Sequence, residues 1–145
     1  MLLWDHAAPL IVCYFLAALL IPFLVKYFRQ HTFYFAALMP FSALVWTLAH
    51  TRQAFGTGSQ GLAEFYQWSS ALDLEIGFRL TGLSWLMLIV INLVGSLILV
   101  YCAQYFSEDS PRLRQFIAAF LGFAASMSGL VLADHTMTLY FFWEI

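Results

Sequence analysis

The chain has 145 residues, of which 63% are hydrophobic and 10% are charged, and its mean hydropathy is +0.83. Soluble domains carry about 25% charged residues, so these values exclude an ordinary soluble domain and indicate a protein whose solvent is the lipid bilayer. The net charge is −2, and the six basic residues are scattered along the chain without forming a basic stripe. No nucleic-acid partner is therefore expected.

Charged residues divide the chain into long uncharged segments that predict helices. In chain order, these helices span residues 7–28, 32–51, 82–106, 114–133 and 136–145. A bilayer needs about 20 apolar residues per helix, so the first four are complete transmembrane helices and the fifth is cut short at Ile145. The predicted fold is an all-α polytopic membrane protein, with residues 1–145 forming a single membrane domain.

A predicted outer loop at 52–81 separates the second helix from the third. Residues 56–61, GTGSQG, predict a flexible turn. The later stretch ALDLEIGFRL alternates apolar and polar side chains, which predicts a short β-strand or hairpin around residues 68–80. Glu75 and Arg79 lie on its polar face, where an exposed pair contributes little to stability.

Basic residues predict the orientation of the helices. Four of them flank one end of the predicted bundle and two flank the other, and the more basic end is expected to be cytoplasmic. The chain is therefore predicted to be a multi-pass protein of the cytoplasmic (inner) membrane with its N-terminus outside. The four are Lys26, Arg29, Arg112 and Arg114, and the two are Arg52 and Arg79.

Most polar and small residues inside the helices predict packing. Small residues four apart let helices approach closely and form hydrogen bonds, and this use is commoner than an ion path. The pairs with this spacing are Asn92 and Ser96, Gly122 and Ser126, and Ala125 and Gly129. The sequence shows no metal-site spacing, phosphate loop or nucleophile elbow, so we expect no metal, no cofactor and no enzyme activity.

Glu144 is the exception among the intramembrane residues. Asp134 and His135 are expected to end the fourth helix and turn the chain, so the fifth helix begins near Thr136. At about 1.5 Å per residue, Glu144 then lies about 12–15 Å into the membrane. A carboxylate there costs about 2.5–3.5 kcal/mol or more, and such residues are functional by default. The alternative is a structural glutamate that a neighbouring helix satisfies, or one at the membrane interface if the helix begins later.

Two long stretches carry a family resemblance, FRLTGLSWLMLIVINLVGSLILVYCAQYFSE and RQFIAAFLGFAASMSGLVLADHTMTLYFFWEI. They resemble the antiporter-like membrane subunits of Mrp-type cation/proton antiporters and of respiratory complex I. The N-terminal IPFLVKYFRQHTFYF further resembles the large A subunit of the Mrp antiporter. The matching residues are Gly82, Leu83, Ser84, Tyr105, Leu130, Val131, Leu132, Asp134, Phe142, Trp143 and Glu144.

The resemblance implies a secondary transporter that exchanges monovalent cations, Na+ in the first place, for protons. Glu144 matches the proton-handling acid of the family, and Asp134 and His135 are weaker candidates for the translocation path. The implied partners are Na+, H+, the bilayer, the other membrane subunits of the complex and further C-terminal helices. Thr81 and His135 depart from the usual Asp and Asn, and the lysine that pairs with the glutamate in the family is missing.

Two alternatives to the transporter hypothesis remain. Complex I shares the motif, so the chain could belong to a redox-driven proton pump, in which case it would be part of a translocase. It could also be a structural or assembly segment without transport of its own.

Overall fold

The computed structural model describes residues 6–56, 62–69, 74–106 and 112–145. Within these ranges the helices are α1 (Ala7–Phe28), α2 (Thr32–Ala49), a single turn α3 (Thr51–Ala54), α4 (Gly82–Tyr105), α5 (Leu113–Leu132) and α6 (Thr136–Glu144). α1, α2, α4 and α5 are long and apolar enough to cross a membrane. α2 ends two residues before the expected position, and the other long helices differ from expectation by at most one residue.

A two-stranded antiparallel hairpin lies between α3 and α4. Its strands are β1 (Ala63–Ser69) and β2 (Leu74–Arg79), and Ala63 is opposite Arg79 in the register. β2 falls within the stretch whose alternation predicts a strand. Residues 57–61 of the expected turn and residues 70–73 of the expected strand or hairpin lie outside the described residues. The helical membrane fold with a β-structured loop is confirmed.

The four long helices pack in two main pairs, α1 against α5 and α2 against α4. One core cluster includes the fully buried residues Phe33, Leu99 and Leu121. A second cluster contains Leu132 and Phe142 together with the hairpin residues Phe78 and Leu80, so the hairpin is part of the core. Large apolar side chains cover much of the outer helix surface, which suits contact with lipid.

The hairpin occupies one end of the bundle, with the first residues of α1 and the last residues of α5. Lys26 and Arg29 lie in and after the last turn of α1, and Arg112 and Arg114 flank the start of α5. Because α1 and α5 each span the bundle, these four basic residues lie at the end away from the hairpin. The two ends therefore carry the unequal basic charge on which the predicted orientation depends.

Small residues in the helices do not all serve close packing. A methyl group added at Gly129 would lie 2.5 Å from the Phe142 ring, so α6 approaches α5 closely at this position. A methyl group at Gly122 would meet nothing within 4 Å. The expected packing role is thus found at Gly129 and is wrong for Gly122 within the described part of the chain.

Candidate functional site

The short helix α6 carries Glu144. It begins at Thr136 because His135 has extended backbone and its carbonyl accepts the Leu139 amide at 2.9 Å, which closes the first helical turn. Only two of its nine residues are buried, Thr138 and Phe142. Glu144 is exposed. It follows Phe142 by two residues, about 200° around the helix, so its side chain points away from the buried face.

Phe142 anchors α6 to the bundle. Its ring lies directly over Gly129 of α5, stacks on Phe15 of α1 at 6.5 Å between centroids, and tilts against Phe78 of the hairpin at 5.9 Å. Phe142 is 6% exposed. Three separate elements therefore hold the residue that lies two positions before Glu144.

An apolar groove of about 620 Å³ runs between α1, α6 and the hairpin. Val12 and Phe15 of α1 line one wall, and Tyr140 and Phe141 of α6 line another. Glu144 also lines this groove. Its carboxylate has no hydrogen bond or ion pair with any residue in the described ranges.

Arg79 of β2 binds Asp134 in the turn between α5 and α6. The guanidinium makes two hydrogen bonds to the carboxylate, at 2.7 and 3.0 Å. The bonded Arg79 guanidinium holds the pKa of Asp134 below its ordinary value, and Asp134 raises the pKa of Arg79. Arg79 thus reaches across from the hairpin to the helix turn, although it shares the polar face of its strand with Glu75.

Backbone bonds next to this ion pair fix β2 on the turn. The Asp134 amide donates to the Gly77 carbonyl at 2.9 Å, and the Gly77 amide donates to Thr138 Oγ1 at 3.0 Å. Phe78 and Ala133 form an antiparallel bridge. The turn thus extends the hairpin by one short bridge, and the start of α6 is bonded to β2.

His135 lies beside this contact. Its Nε2 is 3.9 Å from Glu75 Oε2, and its ring meets the edge of Phe65 at 5.6 Å between centroids. Its ring also lies close to Gly77, where an added methyl group would be only 2.7 Å from the ring carbon Cδ2. Asp134 and His135 therefore lie together at the hairpin end of α6, one full helix length from Glu144.

Glu64 of β1 caps the start of α1. Its Oε1 accepts the Ala7 amide at 2.7 Å, and its Oε2 accepts the Ala8 amide at 3.4 Å. His6 Nδ1 is 3.3 Å from Oε1, and the Glu64 side chain is only 8% exposed. The side chain of His6, at the N-cap position, makes no capping bond, so the acceptor for α1 comes from the hairpin.

A buried hydrogen bond joins α1 to α4. The Tyr14 hydroxyl donates to Asn92 Oδ1 at 2.6 Å, and both residues are 0% exposed. Asn92 Nδ2 donates to the Leu88 carbonyl, and Ser96 Oγ donates to the Asn92 carbonyl. The amide and hydroxyl groups are thus satisfied by helix contacts, as expected for a packing role.

Sequence reasoning missed Glu64 and Tyr14. The only signal for Glu64 was an acid in the outer loop combined with an α1 that lacks a good N-cap residue of its own. Tyr14 carried no signal, because a tyrosine in an apolar helix matches many roles. Within the described ranges, no group of three or more His, Cys, Asp or Glu residues could hold a metal ion.

The middle of the chain matches a known sequence family. Residues 66–117 match a sequence family described as "NADH-Ubiquinone oxidoreductase (complex I), chain 5 N-terminus". These residues include most of the hairpin, α4 and the first turn of α5.

A curated relative matches almost the entire chain. The A subunit of the Na(+)/H(+) antiporter of Alkalihalophilus pseudofirmus is 33% identical over 144 residues, which are 98% of this chain. The chain is similar to the N-terminal portion of that relative. It spans only 17% of the relative's length.

A solved structure has a similar fold. A chain in the structure of the Mrp complex from Dietzia sp. DQ12-45-1b superposes with a TM-score of 0.76 at 24% identity. The alignment covers 93% of this chain and 14% of the other. The family resemblance expected from the sequence is confirmed, and the chain is a multi-pass membrane protein.

Proposed function

We propose that this chain forms the N-terminal helices of a cation/proton antiporter subunit that works within a multisubunit membrane complex. Its similarity, over nearly its full length, to the A subunit of a Na(+)/H(+) antiporter supports this proposal. We take Na+ as the exchanged cation and the cytoplasmic membrane as the location, with the N-terminus outside. The partners are the other membrane subunits and the further helices of this one, and no enzyme activity belongs to the chain.

The observation that carries the proposal is the position of Glu144. It lies eight residues beyond the start of α6, which is about 12 Å along a helix. The hydrocarbon core is about 30 Å thick, so the carboxylate belongs near its middle. Acids at this depth cluster on ion paths and proton relays.

The chemistry required of Glu144 is proton loading and release. Hydrocarbon surroundings favour the neutral acid, whereas a nearby cation or water favours the carboxylate. Because Glu144 points away from the packed face of α6, its partner group would come from outside the described contacts. Alternation between these surroundings would couple proton release to cation movement.

Asp134 and His135 would have an accessory role at the outer end of α6. Asp134 is bound by Arg79, so its carboxylate is occupied, and it would act mainly by holding the turn. His135 is exposed, and an imidazole is the side chain best suited to proton exchange near neutral pH. It is the better of the two for exchanging protons with the outer water.

A second candidate is a proton-pumping subunit of a complex I-type redox complex. The match of residues 66–117 to the complex I chain 5 N-terminus favours it. Such a subunit would move protons only when electron transfer drives it. A third candidate is a purely structural segment, in which Glu144 would be a tie to a neighbouring helix rather than a proton-handling group.

The test is Glu144→Gln, which keeps shape and hydrogen bonding but cannot change charge. In the assembled complex, we expect normal abundance and a large loss of Na+-dependent proton movement in everted vesicles. Glu144→Asp, which moves the acid by one methylene group, should be partly active. Gln67→Ala, a change at an exposed polar residue of the hairpin, is the control and should be active.

Each other outcome has a clear consequence. Exchange at the wild-type rate in Glu144→Gln would show that Glu144 does not handle the transported proton. Failure of assembly specific to Glu144→Gln would support the structural segment instead. Proton movement that depends on an electron donor rather than on Na+ would support the redox complex.

A further inference from the structure

The Phe142 ring approaches Gly129 more closely than ordinary helix packing requires. A methyl group built on Gly129 would lie 2.5, 2.5 and 2.7 Å from three ring atoms of Phe142. Such distances leave no room for any side chain other than hydrogen. Glycine is also among the least favourable residues inside a helix, so its presence in the interior of α5 is explained by the ring that it admits.

Few contacts determine how α6 is rotated about its axis. Thr138 and Phe142, one helical turn apart, are its only buried residues. Thr138 Oγ1 accepts the Gly77 amide at 3.0 Å, and Phe142 occupies the space over Gly129. The other large side chains of the helix, such as Tyr140 and Trp143, are exposed. Thr138 and Phe142 are therefore the two buried points at which the rotation of α6 is fixed.

Glu144 follows this rotation rigidly. It is two residues beyond Phe142 on the same continuous helix, so a turn of the helix that lifts the ring off Gly129 also changes the direction of the carboxylate. Groups that transfer protons lose efficiency when they are displaced by about 1 Å.

We propose that Gly129 is a positioning residue for Glu144: the space left by its missing side chain seats Phe142 and so fixes the direction in which α6 presents the acid. This inference rests on the proposed function of Glu144. Gly129 does not itself bind Na+ or a proton. It acts on Glu144 by setting the position of Phe142. An added methyl group should therefore be harmful only while the large ring is present.

The test compares four variants in the assembled complex: Gly129→Ala, Phe142→Leu, the double variant Gly129→Ala/Phe142→Leu, and Gly122→Ala. Gly129→Ala should lower Na+-dependent proton exchange by up to about a hundredfold and shift its pH profile. The double variant should regain the activity and the pH profile of Phe142→Leu. Gly122→Ala adds the same methyl group to the same helix where nothing lies within 4 Å, and it should exchange like the parent.

A second measurement reports position without transport. With Cys13 and Cys102 replaced by Ser, the rate at which a thiol reagent labels Glu144→Cys should shift when Gly129→Ala is added. When Phe142→Leu is added as well, the labelling rate should return towards that of Glu144→Cys without the Gly129 substitution. If Glu144→Gln retains exchange while the labelling rate shifts and returns, the proposed function fails and the positioning contact stands.

The proposal is overturned if Gly129→Ala exchanges at the parental rate with an unchanged pH profile, or if the labelling rate does not respond to it. It is also overturned if the double variant is no better than Gly129→Ala. Should Gly129→Ala prevent assembly, recovery of assembly in the double variant supports the steric contact, and continued failure overturns it.

Discussion

Arg79 Nε donates to Asp134 Oδ1 at 2.7 Å while Arg79 Nη2 donates to Oδ2 at 3.0 Å, so one planar contact joins the hairpin to the turn that precedes α6. A two-point bond of this kind fixes direction as well as distance. Since α6 has only two buried side chains of its own, this contact is a substantial part of what holds its first turn.

The first prediction concerns this ion pair. Asp134→Asn keeps the size of the side chain but loses the charge and one of the two acceptor oxygens. We expect faster hydrogen exchange at the amides of β2 and at the start of α6, measured by mass spectrometry on the purified complex. Glu75→Gln, on the same hairpin, should leave these rates nearly unchanged. Equal effects of both substitutions would contradict a specific role for the Arg79 contact.

The second prediction is the pH dependence of the same contact. Because bonded Arg79 holds the folded-state pKa of Asp134 below its ordinary value of 3.8, the stabilisation is fully present above that value. It is lost as the pH falls through the lower, folded-state pKa. This pair should therefore give no change in the exchange of the β2 amides at neutral and alkaline pH, and faster exchange only in strong acid. Asp134→Asn should remove the acid-dependent change.

The third prediction concerns the cap on α1. Glu64→Ala removes the acceptor for the Ala7 and Ala8 amides, and loss of such a cap costs about 0.5–2 kcal/mol. Glu64→Gln keeps one acceptor oxygen and should cost less. Thermal unfolding of the detergent-solubilised complex measures both. A stability of Glu64→Ala equal to that of the parent would show that solvent replaces the cap.

The fourth prediction concerns the buried bond between α1 and α4. Tyr14→Phe removes the hydroxyl that donates to Asn92, and hydrogen bonds between membrane helices contribute about 0.6 kcal/mol on average and at most about 1.7. A double-mutant cycle of Tyr14→Phe with Asn92→Ala should give a coupling in this range. Complete additivity would mean that the two residues act independently.

The fifth prediction concerns orientation. Gln67 of β1 and Gln115 of α5 are both exposed and lie at opposite ends of the bundle. With Cys13 and Cys102 replaced by Ser, a membrane-impermeant thiol reagent should label Gln67→Cys in intact cells. It should label Gln115→Cys only in everted vesicles. The reverse pattern would place the N-terminus in the cytoplasm.

The sequence could predict those features that depend on neighbours along the chain. Charged residues bound each long helix, and the alternation through Ile76 and Phe78 indicates β2. β1 was not specified, because its stretch AEFYQWS mixes apolar and polar side chains on both faces. The spacing of Ala125 and Gly129 indicated close packing but could not identify its partner.

Features that join distant segments could not be predicted from the sequence. Glu64 and Ala7 are 57 positions apart, and Gly77 and Thr138 are 61 apart. No local pattern encodes such pairs. The position of Glu144 along α6 could be predicted, because helix rise is constant. The direction of its side chain could not, because it depends on how Phe142 fits over Gly129.

The hairpin also has a consequence for how the protein is made. It is synthesised before α5 and α6, yet its bonds to Asp134 and Thr138 span 55 and 61 positions. Chains emerge from the ribosome N-terminus first, and long-range contacts form late. The hairpin can therefore bond to α1 through Glu64 early. Its contact with Asp134 can form only after α5 has been synthesised and inserted. Biogenesis of this domain should therefore pass through a stage in which α1, α2 and α4 are inserted and the hairpin is bonded to α1 alone.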